Sequence, residues 1–162
     1  MEAISLSKLK VHFNKSLKLS NVLVRRLTNE QEIIEFNQIV QNMENYIKVK
    51  GAIPVGPLIQ HTSSTINESG EIGIVMEIMM QSNNFLHNIE QPYNIKSIIR
   101  VKNCLYVRFR GSESKLNFAY DKIGVTAYEE DIELKGNSYT IFVDQQDDNI
   151  VADVFMERTD NE

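Results

Sequence analysis

The chain has 162 residues, 42% hydrophobic and 24% charged, with one cysteine, Cys104. It is long enough to bury a core unaided, and the lone thiol excludes a disulfide framework and a multi-cysteine zinc site. A net charge of −5 argues against direct nucleic-acid binding. With no apolar run of about 18 residues and no secretory leader, the expectation is a cytoplasmic protein without a membrane partner.

The elements read as follows in chain order. A short edge strand is expected around Lys10–Phe13, then a strand over 19–27, LSNVLVRRL. Thr28 or Asn29 can cap a helix over Glu30–Lys48, whose apolar stripe is Ile33, Phe36, Ile39, Val40, Met43, Tyr46 and Ile47. Gly51 closes it, because glycine accepts the left-handed cap conformation. Strands are expected at 57–64 and 73–81, split by a turn at INESGE. Residues 82–94 are polar, carry Pro92 and read as a linker, 83–94 at its narrowest.

The order then recurs. Residues 95–110 read as two short strands or one bent strand, followed by a helix over 113–127 with Leu116, Ala119, Tyr120, Ile123 and Ala127 on one stripe. Gly136-Asn137 turns the chain into strands 138–144 and 149–157, joined by QQDDN, with a frayed tail from 158. VLVRRLTNEQEI, starting at residue 22, lies over LYVRFRGSESKL, starting at 105, an offset of 83. IVMEIMM, starting at 74, lies over IVADVFM, starting at 150, an offset of 76. Each half is thus βαββ: repeat 1 over about 18–82 and repeat 2 over about 95–157, in one domain spanning 1–162. A lone βαββ unit leaves sheet edges open. Two units predict an α+β fold with pseudo-twofold symmetry: one curved antiparallel sheet, two helices on one face and a central cleft.

IIRVKNCLYVRFRGSESKLNFAYDKI at 98–123, GPLIQHTSST at 56–65 and IVADVFM at 150–156 resemble the GyrI-like, or SOUL-type, effector-binding domain. That domain is the ligand-binding module of MerR- and AraC-type multidrug regulators. The resemblance spans about residues 18–157 and implies a stand-alone member, since no helix-turn-helix precedes it, with an indirect transcription or stress role. The family's ligand-reading Glu is here Asp153, and the Tyr two residues on is here Phe155. There is no Trp, although the family's drug pockets and its hydrolase branch lean on aromatic residues.

Glu77 and Asp153 match across the repeats and sit mid-strand between apolar neighbours. Side chains two apart share a strand face, so Met79 accompanies Glu77 and Phe155 accompanies Asp153. A desolvated carboxylate among soft apolar walls suits a lipophilic cation. The expected ligand-binding residues are Glu77, Asp153, Met79 and Phe155, with Tyr139 stacking or donating a hydrogen bond. Pairing of the acids with the repeat-matched Arg25 and Arg108 would fill the site instead. Core packing is the bland reading of Tyr106, Phe109, Tyr139 and Phe142. His12, His61 and His87 show no metal-ligand spacing, and no catalytic motif is present. The function expected first is non-catalytic binding of a small amphipathic, cationic ligand, with no cofactor, no metal and no catalytic residue. Residues 128–162 hold 11 acids against Lys135 and Arg158. The alternative is therefore a protein-interaction module, gyrase-inhibitor-like, that meets a protein partner through this acidic surface. A small hydrolase of the same fold is the second alternative.

Overall fold

The structure, a computed structural model, describes residues 8–27 and 36–159. The elements run β1 His12–Leu27, α1 Phe36–Val49, β2 Pro54–Ile66, β3 Ile72–Ser82, β4 Tyr93–Ser112, α2 Asn117–Glu129, β5 Leu134–Gln146 and β6 Asn149–Arg158. This is an α+β protein of antiparallel strands with two helices. The two short strands expected before residue 28 are one long β1, and the 95–110 segment is one strand, β4. Asn14 and Asn21 in β1 and Asn103 in β4 hold positive φ, which asparagine tolerates better than most residues. The cap expected at Thr28 or Asn29 and the first turns of the expected helix lie outside the described residues.

Within each unit the strands pair antiparallel, in the order β1-β3-β2 in one and β4-β6-β5 in the other.

The chain forms two compact units, residues 18–100 and residues 1–17 with 101–162. In the first, β3 pairs with both β1 and β2. Helix α1 buries Ile39, Met43 and Ile47, spaced four apart as one helical face requires. They join Leu23, Ile78, Met80 and Leu86 in one core. Leu86 lies in the segment read as a linker and is 2% exposed. Ala52 N–H bonds Ile47 O and Gly51 N–H bonds Lys48 O, with Gly51 at φ +84°. That pattern is a Schellman cap, as the glycine led us to expect.

In the second unit, β6 pairs with both β4 and β5. Helix α2 buries Ala119, Ile123 and Ala127 against Leu105, Val107, Phe109, Ala152 and Val154. The helix therefore takes the odd residues of β4 and the even residues of β6. By strand alternation Tyr106, Arg108, Asp153 and Phe155 fall on the opposite face.

Candidate functional site

On β6, Asp153 stands opposite Arg108 of β4 and Ile141 of β5. Arg108 Nε donates to Oδ1 at 2.8 Å and Nη2 donates to Oδ2 at 2.9 Å, while Tyr106 O–H donates to Oδ1 at 2.7 Å. This is the forked, charge-assisted geometry that arginine gives a carboxylate. The acid is 13% exposed and its arginine 42%, so the carboxylate is held inside while the guanidinium reaches water. Burial, followed by the bond to Asp153, pushes the Tyr106 phenol up. The same carboxylate holds the Arg108 guanidinium protonated beyond its ordinary range.

Aromatic groups adjoin this acid. The Tyr106 and Phe155 rings lie 4.8 Å apart, and His12 lies 5.8 Å from Tyr106. Tyr139 is the register partner of Phe155 and is 8% exposed. Asp153, Phe155 and Tyr139, picked from the sequence, thus share one sheet face. Two residues further along, Arg110 and Val151 carry that face toward an open depression of about 350 Å³, which Asp144, Gln146 and Asn149 also line.

Glu77 and Met79 lie in the other unit. Glu77 Oε1 is 2.9 Å from His61 Nδ1, and Oε2 is 3.7 Å from Arg26 Nη2. Hydrogen bonding to His61 holds the Glu77 carboxyl below the usual glutamate range, against the opposing pull of burial. Met79 is 1% exposed, and its register partners Val24 and Ile59 are buried too. As a ligand-binding residue it would lie beneath the surface, not line it.

The alternative in which Arg25 pairs with Glu77 does not hold: Arg26 takes that place. Register places Arg26 opposite Glu77 and Arg25 opposite Ile78. The sequence overlay matched Arg25 to Arg108 at an offset of 83. The ladders give Arg26 and Arg108 the acid-facing positions, an offset one smaller, and a slip of one residue turns every side chain to the other face. Sequence reasoning also missed Tyr106 and His61 as partners of the acids. The available signal was their spacing: each lies on a neighbouring strand in phase with its carboxylate. Cys104 is buried, and burial pushes its thiol up to about 11, which leaves little thiolate for nucleophilic attack. Among the described residues, no group of three His, Cys, Asp or Glu is placed to hold a metal ion, and no helix is long and apolar enough to cross a membrane.

No family model matches the chain, and no curated protein does. Solved structures share its fold. The chain matches EcmrR in an EcmrR–DNA complex with TM-score 0.68 and 15% identity over 93% of its own length, spanning 57% of that chain. It matches the isolated C-terminal domain of EcmrR with TM-score 0.65 and 16% identity, 93% of this chain against 98% of that one. A hydrolase encoded by lin2189 from Listeria innocua follows at TM-score 0.58 and 11% identity, covering 94% and 92% of the two chains. SAV2435 bound to tetraphenylphosphonium gives TM-score 0.52 and 10% identity, covering 94% of each. Identities this low establish a common fold, that of the EcmrR C-terminal domain.

Proposed function

We propose that the protein is a GyrI-like effector-binding domain, built from two βαββ halves that arose by duplication. In this reading it binds a small amphipathic cation on the face that carries Asp153, without turning it over. The observation behind the reading is Asp153 itself: a mostly buried carboxylate beside two closely packed aromatic rings. Its charge is occupied by Arg108. That arginine is the more exposed partner, on a long flexible stem that can swing into water. A lipophilic cation would displace it and settle on the Tyr106 and Phe155 rings, which attract cations through their π faces. The neighbour SAV2435 was solved with such a cation. Asp153, Phe155 and Tyr139 would serve in this unit and Glu77 in the other, and the reading no longer needs a central cleft.

Thermal shift and calorimetry with tetraphenylphosphonium test this. Wild type should be stabilised. Arg108→Gln, with its acid unmasked, should bind about tenfold tighter, equivalent to about 1.4 kcal/mol. Asp153→Asn should lose the effect. Absence of binding by both wild type and Arg108→Gln would sink the reading.

Glu129, Glu130, Asp131, Glu133, Asp144, Asp147 and Asp148 are all exposed, which favours the protein-interaction alternative as the second reading. Charge reversal at Asp147 and Asp148 should then abolish capture of the partner and leave cation binding intact. For the hydrolase alternative, an ester and strained-electrophile screen with Asp153→Asn and Glu77→Gln as controls gives the decision.

A further inference from the structure

Among the described residues, Arg25 is the buried charged side chain that the candidate faces leave unused. It is 6% exposed. Alternation along β1 places it with Leu23 and Leu27, on the side of the strand that meets the α1 core. Its Cζ lies 5.9 Å from the Tyr93 ring. Tyr93 packs 4.4 Å from Tyr46, whose hydroxyl accepts a hydrogen bond from Glu90 N–H. Both tyrosines are partly buried against the same core.

A guanidinium taken out of water needs an opposite charge or a full set of hydrogen-bond acceptors. Arg26 and Arg108 each have a carboxylate. Arg25 has none among the described residues, and its buried Nε has no hydrogen-bond partner there. The face of Tyr93 offsets part of the desolvation cost but takes up no N–H. The Nε–H and one Nη–H of a guanidinium form the parallel fork that grips a carboxylate. The Tyr93 ring lies beside this guanidinium, and Tyr46 and the apolar α1 core adjoin Tyr93.

We infer that Arg25, with Tyr93 and Tyr46, is a receptor for the carboxylate of a small aromatic acid, at a site separate from Asp153. The acid neutralises the buried charge while its ring packs on the tyrosines. The site is independent of the cation reading, since it uses a different unit and the opposite ligand charge.

The test titrates the ¹⁵N-labelled full chain with benzoate, using acetate and chloride at matched ionic strength as controls. The Arg25 Nε–H resonance, assigned by its disappearance in Arg25→Lys, reports occupancy. Benzoate should shift it saturably, at least tenfold more tightly than acetate, and chloride should not. Benzoate should also raise the Tm of wild type and of Asp153→Asn, but not of Arg25→Met or Arg25→Lys. Equal responses to benzoate and chloride, or benzoate stabilisation that survives in Arg25→Met, would overturn the inference. If Arg25→Met does not fold, the wild-type Nε–H titration decides alone. Loss of tetraphenylphosphonium binding with benzoate binding kept would strike the cation reading and spare this one.

Discussion

Asp153 and Arg108 are unequal partners. The acid is 13% exposed and the arginine 42%. Removing the acid leaves a cation that can return to water, whereas removing the arginine strands a carboxylate that cannot. Arg108→Gln should therefore destabilise the fold by about 1–3 kcal/mol, the cost of an under-satisfied buried group. Asp153→Asn should cost less, and urea unfolding of both variants gives the order. The reverse order would mean that the carboxylate is already solvated. Tyr106→Phe removes one donor from the same acid and should cost about 1 kcal/mol.

Glu77 supplies a pH signature. Its carboxyl is held below the ordinary glutamate range, first by the hydrogen bond to His61. A depressed folded value means that the contribution is present above the unfolded value and is lost as pH falls through the folded one. The stability of wild type should thus fall on acidification below the ordinary glutamate range, and Glu77→Gln should flatten that limb. Urea midpoints measured from neutral pH down to pH ~3 test this over the acid window; superimposable curves would remove Glu77 from the account.

At the scale of elements, most of the architecture was legible from periodicity. The stripe Ile39, Met43 and Ile47 marked α1, and Ala119, Ile123 and Ala127 marked α2, because a helix must bury one face. Gly51 marked the end of α1. A Cβ there would meet nothing within 4 Å, so the cost of Gly51→Ala comes from φ +84° alone. That cost is about 1–2 kcal/mol, readable as a shifted urea midpoint with an unchanged slope. The merging of two expected strands into β1 was not legible. Residues 14–18 lack an apolar pattern, and pairing overrode the weak local preference. Nor was the choice between Arg25 and Arg26. Local sequence ranks adjacent arginines alike, and only ladder register assigns them to faces.

At the scale of the whole molecule, one core of the described residues lies under α1 and another under α2. Phe109 is completely buried in the second. Phe109→Ala should cost about 3–5 kcal/mol, a large share of the total for a domain of this size. Strands β1 and β4 each run without interruption from one unit into the other. Urea unfolding followed by tyrosine fluorescence and by circular dichroism should therefore give coincident transitions, and two separated transitions would show that each unit melts alone.

Composition and periodicity by themselves determined the α+β class, the order βαββ met twice, the helix faces and the two mid-strand acids. These properties are local: each depends on residues within a few positions of one another. The tertiary structure decided which arginine meets which acid, that Tyr106 and His61 join them and that Met79 is sealed in. Those outcomes depend on register between segments far apart in sequence, where a shift of one residue inverts every face. The buried charge of Arg25 belongs to the same class. Its sequence context, VLVRRL, looks like any amphipathic strand, and its want of a carboxylate partner among the described residues exists only once the fold has taken it out of water.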